Sequence, residues 1–252
     1  MSLSDLPALD CHAHIAPDVT APQIRGLNGA IIFAMTRTPA EANYAANRDD
    51  PTILWGYGVH PGVPGAIAAL TEDGIRRATT RHPIIGEIGL DRKSALEPQT
   101  RALDLILRVC ADQPVLLSLH STGRTSQLLD VLQERPHAGA ILHWFNGTRN
   151  EIERAAAMGC YFSVNAAMSD ERLAWFPRDR LLPETDFPSS RRTTQARQPG
   201  DTAFLEQRMS ALTGQSETAV REMWYRNLGE LATHAGIVSR LPTQLQRLIS
   251  HP

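Results

Sequence analysis

The stretch Pro83-Ile84-Ile85-Gly86-Glu87-Ile88-Gly89-Leu90-Asp91 has the composition of a short buried strand interrupted by one carboxylate. Proline and glycine punctuate a mostly β-branched apolar run, which is typical of a strand inside a parallel sheet. A carboxylate buried in such a strand is costly unless a cation neutralises it. The stretch therefore predicts a cationic partner for Glu87, and we interpret Glu87 as a carboxylate that lies between metal ions.

Seven other apolar runs have the length of strands, and helical patterns follow most of the eight. Strands are predicted at residues 6–15, 30–35, 53–59, 83–91, 115–119, 139–142, 160–164 and 180–182. Helices are predicted at residues 39–47, 64–81, 97–112, 126–134, 149–158, 201–212 and 217–235, whereas residues 189–200 have no periodicity and are interpreted as a loop over the rim. Alternating β and α units in 252 residues predict an α/β protein, a single (β/α)8 TIM barrel forming one domain over residues 1–252, since such barrels typically have about 250 residues.

Polar side chains decide between this barrel and a doubly wound open sheet, because they lie at or just past the C-terminal ends of the predicted strands. They are His12, His14, His60, Glu87, His120, His143 and Asp186. In a barrel these strand ends form one rim, where catalytic residues gather. In an open sheet the same ends would lie along a line and could not all meet.

The pattern predicts a hydrolytic site with two metal ions, in which ions about 3.5–4 Å apart share a bridging carboxylate and a bridging water. One ion is assigned to His12, His14 and Asp186 and the other to His120 and His143, with Glu87 as the bridge. Glu87 and Asp186 are the predicted catalytic residues, and Asp186 could also accept the proton of the attacking water. The predicted cofactors are two divalent ions, Mg²⁺, Mn²⁺ or Zn²⁺, because imidazole suits Zn²⁺ or Mn²⁺ and carboxylates suit Mg²⁺.

Three residues near the predicted rim are candidates for substrate binding. His60 follows a strand in Gly58-Val59-His60-Pro61, where we favour contact with a substrate phosphate over ligation. Asp91 is interpreted as holding a substrate group or a helix N-terminus, and Arg124 as a phosphate ligand. Trp144 and Phe145 could stack on a base, and Phe145 could equally be part of the packing.

Composition limits the class of protein. The formal net charge is −2 and no basic run is present, which weakens the case for broad electrostatic binding of duplex DNA. The three cysteines are scattered and form no C-x-x-C pair, which favours reduced thiols and a cytoplasmic location. No signal peptide or membrane-length apolar run is seen, so no membrane association is predicted.

Six sequence blocks resemble the successive signatures of the TatD family of metal-dependent deoxyribonucleases. They are residues 10–14 (Asp-Cys-His-Ala-His), 58–61 (Gly-Val-His-Pro), 86–91 (Gly-Glu-Ile-Gly-Leu-Asp), 119–121 (Leu-His-Ser), 142–148 (Leu-His-Trp-Phe-Asn-Gly-Thr) and 184–188 (Glu-Thr-Asp-Phe-Pro). The resemblance runs from about residue 6 to residue 188, with Asn227 as a weaker match. It implies a TIM barrel of the metallo-dependent hydrolase superfamily, two divalent ions and 3′–5′ exonuclease or related DNase activity. It also implies ligand roles for His12, His14, Glu87, His120, His143 and Asp186.

The chain departs from the family pattern in loops. Where the family usually has Ser/Cys-Arg-Asp, Ser121 is followed by Thr122 and Gly123 with Arg124 displaced, and the usual Arg-Asn-x-Pro stretch is replaced by residues 191–199. The predicted partner is DNA, single-stranded or at a 3′ end, and a protein partner is left open. Two alternatives remain: an amidohydrolase-type enzyme acting on a small amide or lactone, and a TatD-like subunit of a larger complex.

Overall fold

Eight parallel strands in sequential order build the barrel in the computed structural model, which describes residues 6–189 and 191–250. The strands are β1 (Leu9–Ala13), β2 (Ile31–Met35), β3 (Ile53–Tyr57), β4 (Ile84–Gly89), β5 (Leu116–His120), β6 (Ala140–His143), β7 (Tyr161–Val164) and β8 (Leu181–Pro183). Each strand pairs in parallel with the next one along the chain. The predicted (β/α)8 barrel is therefore confirmed.

Helices follow the strands and cover the outside of the barrel. They are α1 (Ala21–Arg25), α2 (Pro39–Ala45), α3 (Pro64–Ala68), α4 (Glu72–Arg81), α5 (Leu96–Cys110), α6 (Thr125–Glu134), α7 (Arg149–Ala157), α8 (Asp170–Leu173), α9 (Arg191–Thr194), α10 (Ala203–Thr213), α11 (Glu217–His234) and α12 (Thr243–Ser250). None of these helices, within the residues described, is long and apolar enough to cross a membrane.

The barrel closes between its first strand and the segment that follows its last one. The Asp186 N–H donates to the His12 carbonyl at 2.9 Å, and the His14 N–H donates to the Phe187 carbonyl at 2.8 Å. On α11, the Asn227 side chain donates to the carbonyl of Leu181, which fixes the start of β8. Closure thus joins the strand ends that carry the two histidines of β1 and Asp186.

Two of the predicted elements differ in the structure. The helix predicted at residues 64–81 is two helices, because the Thr71 side chain accepts the Gly74 N–H and starts α4 after α3 has ended. The segment at residues 189–200, predicted to lack regular structure, contains α9. The short helices α1 and α8 and the C-terminal α12 were not predicted, and α12 packs through buried Leu245, Leu248 and Ile249.

The rim of β4 depends on a glycine that no other residue could replace without strain. Gly89 has a φ of +137°, and a Cβ at this position would lie 2.1 Å from the His120 carbonyl oxygen. This close approach lets the Leu90 N–H donate to the same carbonyl at 2.9 Å. Asp91 is consequently brought next to His120 at the C-terminal rim.

Candidate metal centre

Glu87 is the centre of the site, with its carboxylate at the end of β4 and only 1% of the residue exposed. Five imidazoles converge on this one carboxylate. Its Oε1 lies 2.5 Å from His120 Nδ1 and 3.4 Å from His143 Nε2, and its Oε2 lies 3.3 Å from His14 Nε2, 3.4 Å from His60 Nε2 and 3.8 Å from His12 Nε2. Burial alone would raise the pKa of Glu87, but His120 and its neighbours hold that pKa well below the usual range.

Hydrogen bonds on the far side of the rings fix the tautomers of His14 and His143. The Nδ1 of His14 lies 3.0 Å from the Met35 carbonyl, which can only accept, so this nitrogen carries the hydrogen. The Nδ1 of His143 lies 3.2 Å from Glu184 Oε2, which is also an acceptor. Both histidines, when neutral, therefore present an Nε2 lone pair to the centre, as histidine ligands of a metal do.

His12 and His120 complete the set of imidazoles with an available lone pair. His12 Nδ1 lies 2.8 Å from Ser118 Oγ, and when this hydroxyl accepts the ring hydrogen, the lone pair is on the buried Nε2, which has no hydrogen-bond partner. His120 is turned the other way: its Nε2 lies 3.1 Å from Asp91 Oδ2, and its buried Nδ1 faces Glu87 Oε1. Buried polar atoms without partners are rare in proteins, and here two of them, His12 Nε2 and Glu87 Oε2, lie 3.8 Å apart at the centre.

His60 has the opposite tautomer and a different chemical capacity. Its Nδ1 accepts the Gly62 N–H at 2.9 Å, so the hydrogen of the neutral ring is on Nε2. Burial lowers the pKa of His60 to about 4, which keeps the ring neutral. Although Nε2 lies 3.4 Å from Glu87 Oε2, it is a hydrogen-bond donor and not a lone-pair ligand.

Asp186 faces the two histidines of β1 from the closing segment of the barrel. Its Oδ1 lies 3.6 Å from His14 Nε2 and 3.9 Å from His12 Nε2. Burial raises the pKa of Asp186 to about 6, with His143 acting in the opposite direction. A carboxyl group with that pKa changes its protonation state close to neutral pH.

The donor set fits a divalent cation, because buried side-chain atoms without hydrogen-bond partners, such as His12 Nε2 and Glu87 Oε2, lie at the centre. The nitrogens and oxygens that converge form three overlapping groups, each within 4.8 Å: His12, His14 and Glu87; His12, His143 and Asp186; and His60, Glu87 and His120. The predicted division of ligands, with His12, His14 and Asp186 on one ion and His120 and His143 on the other, stays a prediction; His120 and His143 face Glu87 Oε1, whereas His12 and His14 face Oε2. The tautomer of His60 leaves Glu87 and His120 as the ligands of the third group.

The residues that orient the histidines were missed by the sequence analysis. Glu184 is 1% exposed and accepts from Ser163 Oγ, from Asn165 Nδ2 at 2.9 Å and from His143. Ser118 in β5 orients His12. The only sequence signal was the run Glu184-Thr185-Asp186, in which Glu184 directly follows an apolar strand.

Asp10 is a second buried carboxylate that was not singled out. It is fully buried and accepts four hydrogen bonds: from the N–H groups of His12 (3.2 Å), Thr185 (2.9 Å) and Gly200 (2.8 Å), and from Thr185 Oγ1 (2.6 Å). Burial raises the pKa of Asp10 to about 7 even against these donors. Through these hydrogen bonds, Asp10 connects β1 to Thr185, in the segment after β8, and to Gly200, near the start of α10.

A cavity of about 600 Å³ opens above the centre and receives most of the predicted substrate residues. His60, Asp91 and Trp144 are among the residues that line it. Asp91 accepts from the Lys93 N–H at 2.7 Å and orients His120, so it does not cap a helix. Arg124 is absent from the described lining and its buried Nε has no partner, whereas Arg92 from the neighbouring loop does line the cavity.

Of the two aromatic residues after β6, only Trp144 reaches the cavity. Trp144 has a φ of 37° and is half-buried at the rim. Phe145 is completely buried, 5.9 Å from Phe162 between ring centroids. Of the two roles left open for Phe145, packing is the one that the structure shows, because the side chain lies in the core.

Comparison with known proteins agrees with this geometry. The family model for TatD related DNase matches residues 9–232. The chain is 30% identical over 185 residues to the 3′-5′ ssDNA/RNA exonuclease TatD of Escherichia fergusonii, covering 68% of this chain and 71% of the relative. It is also 30% identical over 178 residues to the protein of the same name from Escherichia coli strain K12, covering 65% of this chain and 68% of that protein.

Solved structures share the fold. A TatD homologue from Escherichia coli K12 superimposes with a TM-score of 0.76 at 20% identity, covering 89% of this chain and 97% of the homologue. A TatD family hydrolase from Entamoeba histolytica gives a TM-score of 0.71 at 17% identity, covering 89% of this chain and 97% of that one. With a family match over most of its length, this chain belongs to the TatD-related DNase family of metal-dependent hydrolases.

Proposed function

We propose that this protein is a metal-dependent phosphodiesterase that removes nucleotides from the 3′ end of single-stranded DNA. The observation that carries the proposal is the convergence of four lone-pair imidazoles and two carboxylates on one point beneath an open cavity. The printed names of the relatives, 3′-5′ ssDNA/RNA exonucleases, support the choice of substrate and of direction. Three buried, unpaired cysteines are consistent with work in the cytoplasm, and we take residues 1–252 as one domain.

In this proposal the cofactors are two divalent ions, held by His12, His14, His120, His143, Glu87 and Asp186. Such ions supply Lewis acidity toward a phosphoryl oxygen and make a bound water acidic enough to give hydroxide at neutral pH. Glu87 is central, because its two oxygens face different groups of imidazoles. The far-side partners of the rings, Met35 and Glu184 among them, keep the lone pairs aimed at the centre.

The remaining steps belong to side chains of the chain itself. Asp186 would accept the proton of the attacking water, because its buried carboxylate lies beside the two histidines that would hold the first ion. The Nε2–H of His60 donates to a substrate phosphate oxygen, which its fixed tautomer permits. The half-buried indole of Trp144 offers a stacking surface for the terminal base.

The experiment uses protein that has been stripped of metal and reloaded with Mg²⁺, Mn²⁺ or Zn²⁺. Labelled single-stranded DNA, double-stranded DNA and RNA, with chromogenic amides and lactones, form the substrate panel. We expect shortening of single-stranded DNA from its 3′ end. Asp186→Asn should still bind DNA but cleave about 100-fold more slowly, since general-base catalysis is worth roughly 10²–10⁴ in rate.

Asp112→Asn, which neutralises an exposed carboxylate at the end of α5, is the matched control and should keep full activity. Wild-type protein that cleaves no phosphodiester with any of the three ions would refute the nuclease proposal. Turnover of an amide or a lactone under the same conditions would instead support the amidohydrolase alternative.

A further inference from the structure

Three cations lie around the mouth of the cavity. Arg37 comes from the β2–α2 loop, and Arg92 and Lys93 come from the β4–α5 loop. All three side chains are exposed, and within the residues described none of them forms a hydrogen bond or an ion pair. Elsewhere on the surface, Arg208 and Arg221 are paired with carboxylates. The mouth is therefore electropositive above a floor that is rich in carboxylates.

Arg92 is held in place more firmly than an ordinary surface arginine. Its backbone N–H donates to the Thr122 carbonyl at 3.0 Å, which joins the β4–α5 loop to the β5–α6 loop. Its aliphatic stem lies on Gly123, where a Cβ would be 2.7 Å from Arg92 Cδ and 3.3 Å from Cβ and Cγ. Gly123 also has a φ of +63°, so a side chain at this position would be strained and would displace the arginine stem.

The cations and the metal ligands lie at different depths in the same cavity. Glu87 is 1% and His143 5% exposed at the floor, whereas Arg92 and Lys93 are exposed at the mouth. A ligand with one phosphate at the floor would leave the cations at the mouth without an anion. A ligand that satisfies both levels must carry negative charge at two places along its length, as successive phosphates of a nucleic-acid strand do.

We propose that this site selects a strand with at least two consecutive phosphates, and that Arg92, assisted by Lys93 and Arg37, binds the phosphate adjacent to the one that is cleaved. The proposal rests on the phosphodiesterase function proposed above and specifies its substrate class. The guanidinium offers two parallel donors to phosphate oxygens, which gives Arg92 the main part of the contact. Isolated phosphodiesters and small esters gain nothing from this contact.

The test compares substrates that differ in their number of charged phosphates. The substrates are a thymidine dinucleotide with one phosphate, the trinucleotide with two, and a trinucleotide whose linkage away from the 3′ end is a neutral methylphosphonate. We expect wild-type kcat/KM to be about tenfold higher for the trinucleotide than for the dinucleotide, mainly through a lower KM. The reason is that a charge-assisted hydrogen bond is stronger than one between neutral groups. The neutral linkage should abolish that advantage.

The variant Arg92→Gln should abolish the same advantage, so that kcat/KM falls much further for the trinucleotide than for the dinucleotide. Combining the variant with the neutral linkage should cause no further loss, since both remove one contact. Gly123→Ala should mimic Arg92→Gln, and Arg92→Lys should retain part of the advantage. The control is Arg247→Gln, which removes an exposed charge from α12 and should behave as wild type.

A second readout does not depend on cleavage. Binding of a labelled single-stranded oligonucleotide to metal-depleted protein is measured against salt concentration. The plot of log K against log salt has a negative slope, and in Arg92→Gln this slope should be shallower by about 0.7. An equal loss on dinucleotide and trinucleotide, or an unchanged salt slope, would overturn the assignment of Arg92. If wild-type protein cleaves no substrate, the phosphodiesterase proposal fails, and the salt slope alone decides whether Arg92 binds a phosphate.

Discussion

Replacing Glu184 by glutamine should weaken metal binding without removing a ligand. Glu184 accepts from Ser163, from Asn165 at 2.9 Å and from His143 at 3.2 Å, and Asn165 is itself fixed because its Oδ1 accepts the Ala167 N–H. Glutamine has one acceptor oxygen, so its amide NH₂ would face a donor at one of these positions. Burial lowers the pKa of His143, but Glu184 and Glu87 together raise it well above its usual value, and the substitution removes the Glu184 charge.

We expect metal affinity to fall by about 10–100-fold, the usual effect of removing a partner that orients a metal-bound histidine. This corresponds to about 1.4–2.8 kcal/mol, at about 1.4 kcal/mol for each tenfold change. The assay is a competition titration of metal-depleted protein with Mn²⁺ or Zn²⁺ against a chromogenic chelator. Far-UV circular dichroism of the metal-depleted variant establishes that the barrel is intact at the assay temperature.

Ser163→Ala provides the comparison, because it deletes one hydrogen bond to Glu184 and keeps the charge next to His143. Its effect on affinity should be clearly smaller. A folded Glu184→Gln protein with the affinity of the wild type within twofold would refute the role of Glu184 in orienting His143.

Three further outcomes are expected. Glu87→Gln should lose at least one ion and nearly all nuclease activity with little change in the circular dichroism spectrum, and turnover like that of the wild type would exclude the bridging role. Trp144→Ala should raise KM for single-stranded DNA by an amount equivalent to roughly 1–3 kcal/mol of stacking, whereas Phe145→Ala should lower the free energy of unfolding by about 3–5 kcal/mol; the opposite pattern in urea melts and kinetics would contradict the placement of the two rings. Burial lowers the pKa of His137, so the unfolded chain takes up the proton first and stability should fall as the pH drops below about 6.5. Urea titrations at pH 7.5 and 5.5 should show a smaller loss for His137→Gln than for wild type, and equal losses would refute the assignment.

Much of the barrel could be predicted because its signals are local. Each strand is a short apolar run with proline, glycine or a polar residue at its end, and each helix has its own period. The break between α3 and α4 was missed because residues 68–70 continue the apolar pattern, and only the bond from the Gly74 N–H to the Thr71 side chain reveals the new start. The helices α1, α8 and α9 have five residues or fewer, which is too short for a period to be visible.

Only part of the site, too, could be predicted from the sequence. Residue types able to bind metal at strand ends are visible in the sequence, and the structure brings all six of the predicted ligands to one point. Their orienting partners are not visible, because Ser118 lies 106 residues from His12 and Glu184 lies 41 residues from His143. The replacement of Arg124 by Arg92 at the cavity also depends on a contact between two loops, which no spacing along one loop can indicate.

The seam between β1 and the segment after β8 has a consequence for biosynthesis. A growing chain carries His12 and His14 almost from the outset, yet it gains Asp186 only after all eight strands have been made. The backbone hydrogen bonds of the seam involve these same residues. Closing the barrel therefore also brings Asp186 next to His12 and His14. A divalent ion bound there favours the closed form by mass action. Chelation is therefore expected to loosen the barrel first at this seam, and amide exchange at His14 and Asp186 would report it.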